Sequence, residues 1–96
     1  MDIVKKFKAL PSTLGIQANP DHFQYLNTII EQELKKFSHH TQLLIQKLLI
    51  SFASGDQIIR ESEKQKIHNI FLFSEKYRKK LETLYENIEQ RFQMQN

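Results

Sequence analysis

The sequence predicts an all-α protein: an antiparallel bundle of three to four helices, with a short N-terminal helix and a long C-terminal one. Three observations predict it. Only two Gly and two Pro occur in 96 residues, whereas a small all-β domain needs several of each for its turns. Apolar residues recur at three- and four-residue spacing along most of the chain, the period of an amphipathic helix. With 40% hydrophobic and 26% charged residues, the composition suits a folded globule rather than a disordered chain. The length allows one core, so residues 1–96 are read as a single helical-bundle domain.

The first segment, Asp2 to about Leu10, opens with Asp2 as N-cap. It carries Ile3, Val4, Phe7 and Leu10 on one side and Lys5, Lys6 and Lys8 on the other. Pro11 is expected to stop it. Residues 11–18 hold Pro, Ser, Thr and Gly and read as a loop, with Leu14 and Ile16 covering an end of the core. Asn19 then caps a second helix, with Pro20 at its first position and Asp21 near the positive end of the dipole. Its stripe is Phe23, Leu26, Ile29, Ile30, Leu34 and Phe37, and Glu31 faces Lys35 at i,i+4. The helix is expected to end near Phe37.

Residues 38–41 connect it to a third helix, about Thr41 to Ala53, and so short a link makes antiparallel neighbours. Leu43, Leu44, Ile45, Leu48, Leu49, Ile50 and Phe52 make that helix apolar over most of its circumference, which places it at the centre of the bundle. Gly55 supplies a left-handed C-cap, and Asp56 and Gln57 continue the turn. After Ile58 and Ile59, the spacing of Ser62 to Gln65 forms a capping box, with Ser62 as N-cap. The apolar pattern then runs without a Gly or Pro through Ile67, Ile70, Phe71, Phe73, Tyr77, Leu81, Leu84, Tyr85, Ile88 and Phe92. About thirty helical residues extend roughly 45 Å, twice the length of the neighbouring helices. Either the helix breaks at Ser74-Glu75 and folds back, or the Leu81–Phe92 edge stays partly uncovered and takes a partner.

Chemistry is sparse. The absence of Cys excludes a disulfide scaffold and a Cys-ligated zinc site. His39 and His40 are adjacent and cannot face one metal from a helix; with His22 and His68 they form no metal-ligand spacing. Asp56, Glu61 and Glu63 miss the alternating ligands of a calcium loop. No Gly-rich phosphate loop and no Ser-His-acid context occurs. The expectation is therefore a non-enzymatic chain with no catalytic residues, no cofactor and no metal. The net charge of +3 is mild beside that of dedicated nucleic-acid binders. The N-terminal residues lack the apolar core of a signal peptide, and the Leu43–Ala53 run is too short to span a bilayer. The densest basic stretch is Lys76, Tyr77, Arg78, Lys79 and Lys80; Glu75, Glu82, Glu86 and Glu89 lie around it. The seven Phe residues fall at stripe positions and are expected in the core.

The order of elements carries a resemblance. The short first helix, Asn19-Pro20, the segment Leu26-Asn27-Thr28-Ile29-Ile30, then Leu44-Ile45-Gln46-Lys47-Leu48-Leu49 and a long helix opening Glu63-Lys64-Gln65-Lys66-Ile67 together resemble enterocin A-type (class II) bacteriocin immunity proteins. The likeness covers about residues 3–80. It implies a small basic four-helix bundle in the cytoplasm. Such a protein protects a mannose phosphotransferase permease with bound bacteriocin, and its C-terminal part sets specificity. Family members often end in an irregular aromatic tail, whereas residues 85–96 here continue an amphipathic pattern. A second resemblance is to the TerB-like helical domain of tellurite resistance, whose turn is similar to Ala53-Ser54-Gly55-Asp56, with Ile59 and Glu63. There Ser54 replaces an aspartate and the spacing is one residue longer.

The expected partner-binding surface is Lys76, Tyr77, Arg78, Lys79, Lys80, Leu81, Leu84, Tyr85, Ile88 and Phe92. The expected function is bacteriocin immunity through a protein partner, with peripheral membrane contact compatible with it. The alternatives are a small regulatory or nucleic-acid-binding module, or a homodimerising adaptor built on the last helix.

Overall fold

The computed structural model describes residues 2–15, 19–52 and 60–94. Six helices occur among them: α1 (Ile3–Lys8), α2 (Leu10–Thr13), α3 (Pro20–Leu34), α4 (His39–Ile50), α5 (Glu61–Phe73) and α6 (Glu75–Met94). No strand occurs among the described residues. The expected Gly55 cap, the turn at Asp56 and Gln57, the TerB-like turn, and the positions of Ile16, Ile58 and Ile59 lie outside the described residues.

Local signals place three helix starts. The Asp2 carboxylate accepts the Lys5 N–H at 2.8 Å, and Asn19 Oδ1 accepts the Asp21 N–H at 3.0 Å. Each satisfies one of the donors that a helix N-terminus leaves free. Ser38 caps α4 by accepting the Thr41 N–H at 3.3 Å, so this helix begins at His39, two residues before the expected start. Pro11 does not end α1 in a loop. The chain kinks at Ala9, and Pro11 sits in the first turn of α2, where its missing N–H costs nothing. Gly15 follows at φ +68°, a conformation without strain only for glycine. Helix α3 stops at Leu34, and the Phe37 N–H bonds to the Leu34 carbonyl at 3.0 Å in a tightened last turn. The expected Ser62 cap does not form. Helix α5 starts at Glu61, two residues earlier than that cap would set, with no side-chain cap, and Gln65 donates instead to Asn69.

The C-terminal pattern divides at Ser74. This residue is extended, with φ −87° and ψ 111°. Its N–H closes α5 on the Ile70 carbonyl at 3.0 Å, and its own carbonyl accepts the Arg78 N–H of α6 at 2.8 Å. A continuous helix over residues 61–94 would reach about 51 Å, beyond the longest molecular dimension of 38 Å. Broken at Ser74, α6 alone is about 30 Å long and matches the rest of the chain.

Helix α6 packs against α3, α5 and α1, while α4 packs chiefly on α5. Near the start of α3, His22 meets Phe92, near the end of α6, edge-to-face at 5.9 Å and Tyr25 meets it tilted at 5.7 Å, as antiparallel helices do. The central position expected of the third helix is thereby corrected. Leu43 and Ile50 of α4 are 43% and 44% exposed, and its inward side consists of Thr41, Ile45 and Leu48. An apolar circumference does not oblige a helix to be surrounded: α4 packs chiefly on α5, and Leu43 and Ile50 remain in solvent. The expectation that every Phe is a core residue also fails at two positions: Phe23 is 52% exposed and Phe73 is 78% exposed.

Candidate partner-binding surface

The ten candidate residues divide by helix periodicity. Leu81, Leu84, Ile88 and Phe92 follow one another at three- and four-residue steps and form the buried stripe of α6, none more than 3% exposed. They pack with Phe71, Ile29 and Ile45 in one core cluster. The proposed uncovered edge does not exist: α1, α3 and α5 cover it. These four side chains are not free to receive a partner in the folded chain.

Tyr85 is half-buried. Its ring takes Phe7 edge-on at 5.4 Å, and the Lys6 ammonium lies 5.9 Å from its centroid. Burial, followed by the charge and hydrogen bond of Glu89, pushes its phenol above the ordinary value. It lines a shallow cleft of about 200 Å³ with Ile3, Lys6, Glu82 and Glu86. This cleft is ringed by charges of both signs.

The basic run occupies the first two turns of α6. Two of its cations are committed to carboxylates: Lys79 to Glu75 at 3.1 Å and Arg78 to Glu82 at 3.6 Å, each at i,i+4. Among the described residues, Lys76 and Lys80 have no such partner. Their ammonium groups lie 5.8 and 5.6 Å from the centroid of the Tyr77 ring, within cation–π range. Lys80 also donates to Thr41 Oγ1 at 3.4 Å. The Tyr77 ring rests edge-on against Phe71 at 6.2 Å and faces His40 at 6.5 Å. Tyr77 thus holds two cations at the junction of α4, α5 and α6, four residues after the exposed Phe73.

Two features escape a sequence reading. A groove of about 400 Å³ runs between α3 and α4, where Phe23, Ile30, Leu49 and Phe52 meet Phe7 and Leu10. It continues past Leu34 and Ile50. The second feature is Glu33, which is 2% exposed although charged. It bonds to Arg91 of α6 at 2.9 Å and to Lys36 at 2.9 Å, while Arg91 also bonds to Gln32. Burial alone raises the Glu33 carboxyl; hydrogen bonds from Lys36 and Arg91 and their charges outweigh it and hold the group below the usual carboxylate range. No short-range spacing marks the pair, which is 58 residues apart. The expected pair of Glu31 with Lys35 is not formed among the described residues, and Glu33 with Lys36 is the ion pair of that helix.

One polar contact inside the fold has the residue types of a nucleophile and base. Ser51 Oγ lies 3.1 Å from His68 Nε2, but the same hydroxyl donates to the Leu48 carbonyl at 2.6 Å. With that proton committed, His68 Nε2–H is the donor to Ser51. This arrangement locks the end of α4 to α5 and leaves no base facing the serine proton. Among the described residues no group of three His, Cys, Asp or Glu side chains could hold a metal ion. Compared with known proteins, the chain matches no family model, no curated protein and no solved structure.

Proposed function

We propose that the chain is a bacteriocin immunity protein that acts without catalysis, binding the bacteriocin-targeted permease complex from the cytosolic side. The observation that carries this reading is the face at the start of α6. Lys76 and Lys80, which have no carboxylate partner among the described residues, flank Tyr77 on a long last helix of an all-helical bundle. This is also the part of the chain in which the immunity-protein resemblance puts target recognition. Charge and aromatic surface together suit contact with a macromolecule. No described helix is long and apolar enough to cross a membrane, so a membrane-embedded target would be met from one side.

The test is expression in a sensitive strain challenged with a broad panel of class II bacteriocins. Survival against at least one peptide is expected, with loss of protection when Lys76 and Lys80 are both changed to Glu in a chain that still folds. No protection against any member of the panel overturns the reading. The adaptor alternative loses its physical basis, because Leu84 and its neighbours on the proposed dimer edge are buried within the subunit. A nucleic-acid-binding module would show itself by a salt-dependent shift of duplex DNA, weakened when Arg78, Lys79 and Lys80 are reversed in charge.

A further inference from the structure

The corner between α5 and α6 sets beside the lysines of the immunity reading a residue that reading does not use, the exposed Phe73. Phe73 is 78% exposed and makes no ring contact among the described residues. It sits one residue before the extended Ser74, where the chain changes direction, so its ring stands at a protruding corner rather than in a groove. Lys76 and Lys80 follow it within two turns, held by the Tyr77 ring. Residues 73–82 hold four cations and two carboxylates, so two of the three excess positive charges of the chain lie in this stretch. The carboxylates, Glu75 and Glu82, are taken up by Lys79 and Arg78. His39 and His40, at the exposed start of α4, add no negative charge nearby.

An exposed aromatic ring followed in sequence by two ammonium groups that have no carboxylate partner among the described residues is complementary to a soft anionic surface. The ring enters the headgroup layer, and the cations gain from the surface potential. A preformed protein or nucleic-acid partner would have to provide a pocket for one isolated ring. The alternative site, the groove between α3 and α4, has an apolar lining but no charge pattern that indicates its occupant. The geometry points to the α5–α6 corner as a docking site for an anionic lipid surface, with Phe73 as the inserting residue and Lys76 and Lys80 as the headgroup contacts. This inference does not rest on the immunity reading: it needs only the chain and a bilayer.

The experiment uses the full chain and vesicles of phosphatidylcholine, with and without phosphatidylglycerol, in a sedimentation assay. The chain contains no Trp, so Phe73→Trp places a single reporter at the corner. Binding to the anionic vesicles at low salt is expected, weakening as salt rises, with none to phosphatidylcholine alone. The Lys76→Gln, Lys80→Gln pair should reduce partitioning on the order of tenfold, and Phe73→Ser by about threefold or more. Trp emission in the Phe73→Trp chain should move to shorter wavelength on vesicles. Circular dichroism confirms the fold of each variant, and Lys76→Gln alone serves if the pair is unfolded. Equal binding to both vesicle types, no binding at low salt, full binding by folded lysine variants, or an unmoved Trp emission each overturn the proposal. So does binding to duplex DNA in place of vesicles that is lost in the same lysine variants, because it reassigns the patch. Failure of protection against bacteriocins leaves the vesicle result standing, so the two readings fail separately.

Discussion

Glu33 shows how one side chain can tie together helices far apart in sequence. A carboxylate that is 2% exposed is tolerable only because Arg91 and Lys36 both reach it at 2.9 Å; without them the desolvation cost would exceed any gain. Arg91→Ala removes the partner on α6 while Lys36 remains, and should cost about 2 kcal/mol of stability at neutral pH, read from a urea titration. The pH dependence has a definite sign. The folded carboxyl lies below its unfolded value, so the unfolded chain binds the proton more readily. The contribution is complete above the ordinary carboxylate range and is lost as pH falls through the folded value. Glu33→Gln should therefore flatten the decline in stability below about pH 4 relative to wild type, as followed by circular dichroism. Ser51 and His68 act at the same scale: the hydroxyl that bonds to Leu48 and meets His68 joins two helices and is not poised for attack.

Among the elements, α6 contrasts most with its sequence expectation. Its stripe was recognisable as a run of Leu81, Leu84, Ile88 and Phe92, but whether that stripe faces a partner or its own chain was not. Burial of all four gives a sharp prediction. Leu84→Ala should cost about 2–5 kcal/mol, and Leu84→Glu should abolish the folded state rather than alter the mass of a dimer in sedimentation. Leu43→Ala on α4, at 43% exposure, should stay within about 0.5–1 kcal/mol. Similar costs at both positions would mean that α4 is as central as its composition suggests. The division at Ser74 explains the difference. It shortens the terminal helix to the size of the molecule and turns α5 back along α6, so that Phe71 meets Tyr77 at 6.2 Å.

At the scale of the molecule, one core cluster draws side chains from all six described helices. A chain of 96 residues with a single core should unfold in one cooperative transition. Urea unfolding followed by far-UV circular dichroism and by Tyr fluorescence should superimpose, and separated midpoints would mean that some helices melt independently. The helical class, the caps at Asp2 and Asn19, and the existence of an apolar stripe on α6 were all determined by sequence alone. Each depends on residues within one or two turns, where spacing and capping chemistry act directly. The candidate surface was half visible in the same way: Lys76 and Lys80 are apparent as a basic run, but their freedom from Glu75 and Glu82 is not. Only tertiary structure decided that α4 is left open on one side, that the edge of α6 is covered, that Phe23 and Phe73 stand in solvent, and that Glu33 finds Arg91. Those outcomes depend on which stripe meets which across tens of residues, and local periodicity is blind to that pairing because many arrangements of the same amphipathic helices satisfy it equally.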